Sequence, residues 1–362
     1  MSLNQVQEIG RRVLQRAGLN KDASDVVAKR ISDAERDGCH SHGMFRLPSF
    51  VKAFTSGRTN KTSDPELEIR GSSAIVVNAN NSFSALAFRK GKTELVSRAK
   101  QFGVCAMSIR DCLHYHALWH DNEELADENL VSLNVLTSKS FVAHYGGREM
   151  IYGTNPMAFG FPRQKHLPHL IWDQASASMA RGEISMCLRN GERLPPDVAI
   201  DKNGKMTRDP AKALSGSQLT FGTYAFSLLF IIYFCFFHTP IEDRYKGTAI
   251  ALMIELLASM CGADFSHEQR ECCDDDTSTT PTPCGQFIVA IDPFQFKPQS
   301  QSETEFLKRN EMLFERILRD NGRLPSTGKH CGSERMKVRK ESELNGVEIP
   351  VDLYNECVRL LE

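Results

Sequence analysis

The chain lacks the two glycine motifs that most often mark a nucleotide-binding protein. No GxGxxG follows a predicted strand, and no GxxxxGK[ST] occurs anywhere in its 362 residues. A bound dinucleotide would therefore not rest on the standard glycine-rich turn at a helix N-terminus. This absence excludes the usual fingerprint and leaves the function to be inferred from other residues.

Cysteine pairs at regular spacing are also absent, although cysteine itself is common. The eleven cysteines include no CxxC pair, and their number is odd. Scattered cysteines favour reduced thiols in a cytoplasmic setting over a disulfide framework, and the missing pairs argue against a zinc site. We therefore expect a cytoplasmic protein with no bound metal.

An excess of charge of either sign is missing as well. The 44 basic and 45 acidic side chains leave a formal net charge of −1, and no long basic run occurs. The sequence thus carries no electrostatic footprint for nucleic acid. Residues 1–5 also lack the basic start and the apolar run of a secretory signal. The expected partner is a small molecule.

Hydrophobic spacing predicts helices at both chain ends and an α/β region between them. Val6, Ile9 and Val13 fall at helical spacing, and a second helix follows with Asp22 or Ser24 as its cap. Beyond residue 73, short β-branched runs alternate with helices, which is typical of an α/β core. The predicted strands are 74–77, 104–109, 130–136, 169–172 and 287–291, and the later helices are 84–101, 303–321 and 351–361.

Three segments carry more specific information. They are residues 37–46 (DGCHSHGMFR), residues 153–162 (GTNPMAFGFP), and residues 173–182, which begin with DQAS and end with ARG. In this order they resemble the malate/L-lactate dehydrogenase family, which is unrelated to the Rossmann-type lactate and malate dehydrogenases. That family includes sulfolactate and ureidoglycolate dehydrogenases and Δ1-piperideine-2-carboxylate reductase. The likeness extends from the first helix to residues 347–350.

The resemblance implies a fold, a cofactor and a reaction. The fold would be a mixed-sheet NAD(P)-binding α/β core of the sulfolactate-dehydrogenase-like type, not a standard Rossmann fold. Residues 71–302 would form this core, and residues 1–70 plus 303–362 would form a helical domain for substrate binding and dimerisation. The cofactor would be NADPH or NADH, the partner a small carboxylate, and the assembly a homodimer. A hydride would move at carbon 2 of a 2-oxo acid, a 2-hydroxy acid or a cyclic 2-imino acid.

Four residues are candidates for catalysis through this resemblance. The family's Ser-His-Gly motif falls on His42, and its second histidine, which follows a predicted strand, falls on His114. Either imidazole suits the acid/base role because its unperturbed pKa lies near working pH. Arg46 would hold the substrate carboxylate through two parallel hydrogen bonds, and it would share one side with His42 if the segment is helical. Asp173 would border the nicotinamide and orient the histidine.

A larger set is expected to line the cofactor. Lys246 precedes a predicted helix, so its ammonium group would reach the phosphates beside the helix N-terminal amides. Asn155 precedes a proline and favours a turn next to the cofactor. The wording DQAS, together with NPMAF upstream, is closest to the imino-acid reductase branch. The other candidates are Ser41, Ser138, Thr154, Asp173, Gln174, Ala175, Gly285, Gln286 and Phe287.

Two departures from the family pattern stand out. Residues 223–243 interrupt a stretch that is continuous in the family, and they contain the apolar run FSLLFIIYFCFF at 226–237. This run is shorter than the about 20 residues of a transmembrane helix, so translated intron or another gene-model error is the preferred explanation. His116 stands where the family has glycine and would crowd His114.

Three alternatives to a reductase stay open. The protein could oxidise a 2-hydroxy acid such as malate, lactate or ureidoglycolate. It could be a pseudoenzyme that binds a dinucleotide but is inactive because residues 223–243 disrupt the site. Membrane attachment through residues 224–237 is the third alternative.

Overall fold

The computed structural model describes residues 1–57, 59–60, 64–114, 116–222, 244–272, 284–320, 322, 324–325 and 332–362. The segment 223–243 lies outside these residues. The expectation of membrane attachment, which concerns residues 224–237, therefore falls outside the described part of the chain. For His114 only the backbone is described.

Three helices form the N-terminal part of the chain: α1 (Leu3–Arg16), α2 (Lys21–Arg36) and α3 (Leu47–Thr55). The predicted cap of α2 is wrong. Asn20 has an extended backbone, and its side chain accepts from the amide of Ala23. Asp22 and Ser24 already lie inside the helix, because an N-cap must precede the first helical residue to reach its orphan amides.

The central sheet has seven strands: β1 (Glu66–Arg70), β2 (Ala74–Phe83), β3 (Val104–His114), β4 (Val131–Leu136), β7 (Met157–Phe161), β8 (Leu170–Gln174) and β11 (Cys284–Ile291). They lie in the order β1-β2-β3-β11-β4-β7-β8. Only β2 and β3 are parallel, and α4 (Ser84–Phe102) connects them, since parallel strands need a crossover. The predicted mixed α/β sheet is confirmed, and each predicted strand overlaps an observed one, although 130–136 and 169–172 begin one residue before β4 and β8.

A second sheet of four short strands was not predicted. It consists of β5 (Val142–Ala143), β6 (Met150–Tyr152), β9 (Ala199–Ile200) and β10 (Ser217–Gln218), in the order β6-β5-β10-β9. Strands of two or three residues are too short to show a hydrophobic alternation. The remaining helices are α5 (Trp119–Asp127), α6 (Arg181–Asn190), α7 (Pro210–Ser215), α8 (Arg244–Ser259), α9 (Ser266–Cys272), α10 (Glu303–Arg319), α11 (Gly332–Asn345) and α12 (Val351–Arg359).

The two chain ends share one hydrophobic core. Val6 and Phe54 from the N-terminal helices and Leu353 from α12 are buried in a single cluster. Helix α10 instead lies on β7, where Phe161 packs against Phe306 and Phe314. The division into a helical domain and a cofactor domain stays a prediction. Within the described ranges, no helix combines the length and the apolar character needed to cross a membrane.

Candidate active site

The Ser-His-Gly segment folds as two short 3-10 turns rather than as one α-helix. The turns are His40–His42 and Met44–Arg46, with Gly43 between them. The buried Glu35 carboxylate accepts from the Met44 amide at 2.8 Å and contacts His40 Nδ1 at 2.5 Å. A Cβ at Gly43 would overlap the Glu35 carboxylate. Glycine is therefore required here by the close approach of a buried side chain.

Ser41 holds both His42 and Arg46. Its hydroxyl lies 3.2 Å from His42 Nδ1, and its carbonyl oxygen accepts from Arg46 Nε at 2.7 Å. Within the described residues, His42 Nε2 and the two terminal nitrogens of Arg46 make no hydrogen bond. An imidazole nitrogen and the outer edge of a guanidinium in this segment are therefore not used in hydrogen bonds to the described residues.

The N-terminus of α6 covers this arginine. A Cβ at Gly182 would lie 3.2 Å from Arg46 Nη2 and 3.2 Å from Ser41 Cβ. The first and third sequence motifs therefore meet at Gly182, although about 140 residues separate them along the chain.

His42 is neutral in the site as described. Burial, followed by the charges of Arg46 and His116, lowers the pKa of His42 to about 3. Burial disfavours the imidazolium because an unpaired charge loses its hydration. A carboxylate bound to Arg46 would cancel one of these causes and raise the pKa of His42.

Asp173 is on β8, and its carboxylate lies at the N-terminus of α5. Its Oδ2 accepts from the backbone amide of Trp119 at 3.1 Å. Burial raises the pKa of Asp173 to about 6, against the lowering effect of the Trp119 and Leu118 amides. Burial also raises the pKa of Cys39 to about 12, and the Asp173 charge is the next cause. The segment of the first motif therefore lies within electrostatic reach of Asp173.

His116 belongs to a buried polar network that the sequence did not reveal. Its Nε2 lies 2.7 Å from Asp121 Oδ1 and its Nδ1 lies 3.1 Å from Ser84 Oγ. Gln286 is fully buried, and its Nε2 donates to Asp121 Oδ2 and to Asn134 Oδ1, both at 3.0 Å. The side chain of Gln286 is thus engaged inside the protein, and its contact with a cofactor stays a prediction.

His114 is the last residue of β3, where its backbone pairs with Phe83. The strand is longer than the predicted 104–109, so this histidine ends the strand instead of following it. The side chain of His114 lies outside the part of the chain that is described, and its catalytic role stays a prediction.

The second and third motifs meet at a set of hydroxyl and amide groups. The amide of Ser176 donates to the carbonyl oxygens of Thr154 and Asn155, at 2.9 and 3.2 Å. The Thr154 amide donates to Ser138 Oγ at 3.1 Å. Asn155, with φ +36°, is fully buried and donates to Glu255 Oε1 at 2.7 Å. Asn155 therefore ties this turn to α8.

Lys246 is exposed in the first turn of α8. The next residue, Gly247, has no room for a Cβ because the Phe221 carbonyl lies against it. The Phe221 amide in turn donates to the Ser176 carbonyl at 3.0 Å. The lysine is thus connected to the turn at Ser176 through two close backbone contacts.

The remaining candidates lie at strand ends. Gln174 is exposed at the end of β8, and Ala175 after it is partly buried beside an apolar cluster. Gly285 and Phe287 are in β11, and a Cβ at Gly285 would lie 2.8 Å from the Ala258 carbonyl oxygen. In the described ranges, no group of three or more histidine, cysteine or carboxylate residues could hold a metal ion.

The mixed sheet and the close approach of the first and third motifs at Gly182 are features of an α/β enzyme. The sequence pattern of the malate/L-lactate dehydrogenase family matches residues 1–357, so the chain belongs to that family. The protein is an NAD(P)-dependent oxidoreductase that transfers a hydride at carbon 2 of a small 2-oxo, 2-hydroxy or cyclic 2-imino acid.

Several characterised relatives cover nearly the whole chain. It is 36% identical over 363 residues to Δ1-pyrroline-2-carboxylate reductase 2 of Burkholderia multivorans, covering 100% of this chain and 97% of the relative. It is 34% identical over 362 residues to Δ1-pyrroline-2-carboxylate/Δ1-piperideine-2-carboxylate reductase of Pseudomonas aeruginosa, covering 100% and 99%.

Solved structures agree with this assignment. Δ1-piperideine-2-carboxylate reductase from Pseudomonas syringae pv. tomato superposes with a TM-score of 0.83 at 29% identity, over 99% of both chains. Sulfolactate dehydrogenase from Methanocaldococcus jannaschii gives a TM-score of 0.78 at 25% identity, over 99% of this chain and 96% of the other. The predicted sulfolactate-dehydrogenase-like fold is thereby confirmed.

Proposed function

We propose that the protein reduces a cyclic 2-imino acid of the Δ1-pyrroline-2-carboxylate or Δ1-piperideine-2-carboxylate class. The observation that carries this proposal is the unit formed by Ser41, His42 and Arg46. It presents one imidazole nitrogen and a guanidinium edge side by side. A cyclic 2-imino acid has a ring nitrogen and a carboxylate on the same carbon, so the two protein groups match its two polar groups.

Arg46 binds the substrate carboxylate in this proposal. Its Nε is held by the Ser41 carbonyl, which fixes the plane of the guanidinium and leaves the terminal nitrogens for two parallel hydrogen bonds. The bound carboxylate places carbon 2 at a fixed distance from the site, and such orientation lowers the barrier of a reaction between two bound molecules.

His42 handles the proton at the ring nitrogen. Reduction of the C=N bond adds a hydride to carbon 2, and the nitrogen keeps the proton that the protonated imine already carries. A neutral imidazole accepts a hydrogen bond from the protonated imine, and pairing of Arg46 with the substrate raises the pKa of His42 so that it can also hold that proton. His114 remains the alternative acid/base group.

Asp173 stabilises positive charge. Its carboxylate is ionised above a pKa of about 6, and a buried carboxylate interacts strongly with a cationic imine because little water screens the charge. We therefore expect activity to fall as the pH drops below about 6 and Asp173 takes up a proton.

The nicotinamide cofactor, NADPH or NADH, supplies the hydride when it is bound. The donor set beside the second and third motifs fits such a group. The exposed ammonium of Lys246, in the first helical turn, suits the phosphates. Ser138 and Thr154 offer hydroxyl groups nearby, and Gln174 offers an exposed amide. Ser41, Ala175, Gly285, Gln286 and Phe287 complete the proposed lining.

We also propose a homodimer in the cytoplasm. Helix α8 carries an apolar stripe, which consists of Leu252, Leu256 and Met260, the residue directly after the helix. Their exposed fractions are 45%, 55% and 65%. Contiguous exposed apolar side chains of this kind mark association surfaces. Free thiols at the described cysteines accord with a reducing compartment.

Substrate turnover tests the proposal directly. Oxidation of NADPH and of NADH should be followed with Δ1-pyrroline-2-carboxylate, Δ1-piperideine-2-carboxylate, pyruvate and oxaloacetate. We expect the two cyclic imines to give a kcat/KM at least about 100-fold above the open-chain acids, because they alone carry the ring nitrogen. A preference for pyruvate or oxaloacetate would refute the substrate class and favour a 2-hydroxy acid dehydrogenase.

The effect of the segment 223–243 on activity is tested separately, by comparing two forms of the protein. The same assay on the full chain and on a variant without residues 223–243 separates an enzyme from a pseudoenzyme. Activity that appears only after deletion would support a gene-model error, which sequencing of the mature transcript would check. Cofactor binding without turnover in both forms would establish the pseudoenzyme alternative.

A further inference from the structure

A buried cation outside the sequence motifs contacts Trp119, the residue whose backbone amide binds Asp173. Arg335 is on α11, and only 3% of it is exposed. Its guanidinium carbon lies 5.0 Å from the centroid of the Trp119 ring, and the backbone amide of Trp119 donates to Asp173 Oδ2. One aromatic residue therefore contacts both the buried arginine and the carboxylate of the site.

Arg335 differs from its neighbour one turn later on the same helix. Arg339 hydrogen-bonds both carboxylate oxygens of Asp37 and of Glu123. Arg335 stays 3.9 Å from the same two carboxylates. Its Nε and Nη1 have no hydrogen-bond partner among the residues that are described. Arg339 thus anchors α11, whereas burial of the Arg335 charge is not explained by anchoring, since such burial is costly without close partners.

The groups facing the Asp173 carboxylate come from three elements. Arg335 on α11 lowers the pKa of Asp173, and Asp121 on α5 raises it. Cys39, in the first motif, has a pKa of about 12 and is a neutral thiol. The positive charge of Arg335 therefore opposes the effects of burial and of Asp121, which both raise the pKa of Asp173.

We propose that Arg335 is a positioning residue for hydride transfer, which holds the Trp119 indole in place and supplies a positive charge beside Asp173. The proposal rests on the function of Asp173 proposed above. Arg335 does not touch the substrate. It favours the ionised form of the Asp173 carboxylate. It also fixes the position of the N-terminus of α5, whose Trp119 amide donates to Asp173.

The test uses tryptophan fluorescence and turnover in the same variants. Trp172→Phe leaves Trp119 as the single tryptophan of the two in the chain, and its emission can be titrated with pH without substrate. Arg335→Gln removes the charge, and Arg335→Lys keeps it. Lys337→Gln, on the same helix with its side chain 68% exposed, is the matched control.

For Arg335→Gln we expect the fluorescence midpoint and the acidic limb of kcat to move up by about 0.5 to 1 pH unit, as when one nearby opposite charge is lost. The kcat at pH 6.5 should fall about 1.5- to 3-fold, in proportion to the lost ionised carboxylate, with KM changed less than about 2-fold. Arg335→Lys should keep the parent midpoint, and Lys337→Gln should match its parent in every measurement.

An unchanged midpoint and kcat in Arg335→Gln would overturn the proposal, and so would an equal shift in Arg335→Lys. If Arg335→Gln fails to fold in thermal melts, Arg335→Met, which has an apolar stem of similar length, carries the same expectation. Asp173→Asn separates the two proposals. Loss of the titration with retained turnover would refute the catalytic role of Asp173 and leave its pairing with Arg335 standing.

Discussion

Arg46 donates from Nε to the Ser41 carbonyl oxygen at 2.7 Å, and this bond orients the guanidinium within the first motif. The side of the guanidinium next to α6 is limited by Gly182, where a Cβ would lie 3.2 Å from Arg46 Nη2. The guanidinium of Arg46 is therefore confined on two sides, by the Ser41 carbonyl and by the N-terminus of α6.

Replacement of Arg46 should weaken substrate binding much more than cofactor binding. Arg46→Met removes two charge-assisted hydrogen bonds, so we expect kcat/KM to fall about 100-fold or more. Arg46→Lys should recover part of the loss because it keeps the charge but not the planar fork. Arg316→Met, an exposed arginine on α10, is the control. Equal KM values for Arg46→Met and the parent enzyme would exclude the carboxylate role.

Replacement of His42 should abolish turnover and leave the cofactor affinity nearly unchanged. His42→Ala is expected to reduce kcat about 100- to 10,000-fold, the usual range for an acid/base group, with the dissociation constant of the cofactor measured by fluorescence titration. Burial holds the pKa of His42 near 3, so His42 does not cause the fall in activity below about pH 6. Any residual activity of His42→Ala should therefore still fall below about pH 6, as Asp173 takes up a proton. Parent rates in His42→Ala would shift the acid/base role to His114.

Asp173→Asn should make the protein more stable at neutral pH and less active. The pKa of Asp173 is raised to about 6 from a usual value of 3.8, so the folded state binds a proton more tightly than the unfolded state. The wild type therefore loses stability as the pH rises from about 4 to about 6. At pH 7 the variant should gain about 1 to 3 kcal/mol in the free energy of unfolding.

Chemical denaturation at several pH values measures this difference. The gain should shrink as the pH falls from about 6 and vanish below about pH 3, where the carboxyl is protonated in both the folded and the unfolded state. Asp25→Asn, at a half-exposed position, should show no such trend. A variant that is less stable than the wild type at pH 7 would mean that the carboxylate contributes more as a helix cap than its burial costs.

The stripe on α8 should govern the oligomeric state. Leu252→Glu together with Leu256→Glu places two charges on this surface in each copy, which disfavours its burial against a partner. We expect a shift from dimer to monomer in light scattering coupled to size exclusion. Met312→Glu, an equally exposed apolar position on α10, should leave the dimer intact. A dimer that survives the double substitution would place the interface elsewhere.

Local patterns in the sequence predicted much of the secondary structure and the chemical character of the site. Residues 74–77 became part of β2 and residues 84–101 part of α4, because hydrophobic period and helix length are local properties. The motif around His42 and Arg46 also pointed, through its resemblance to the family, to a carboxylate and a proton, and the structure places both side chains in contact with Ser41.

Other features depend on contacts between distant parts of the chain. The motif at His42 is not helical because the Glu35 carboxylate occupies the space beside Gly43. The pKa of Asp173 reflects burial, which no single segment reveals. Arg335 meets Trp119 only after α11 returns to the sheet. The sequence by itself thus determined the family, whereas tertiary structure decided the orientation and protonation of the proposed reacting groups, since these depend on which remote atoms exclude water and supply charge.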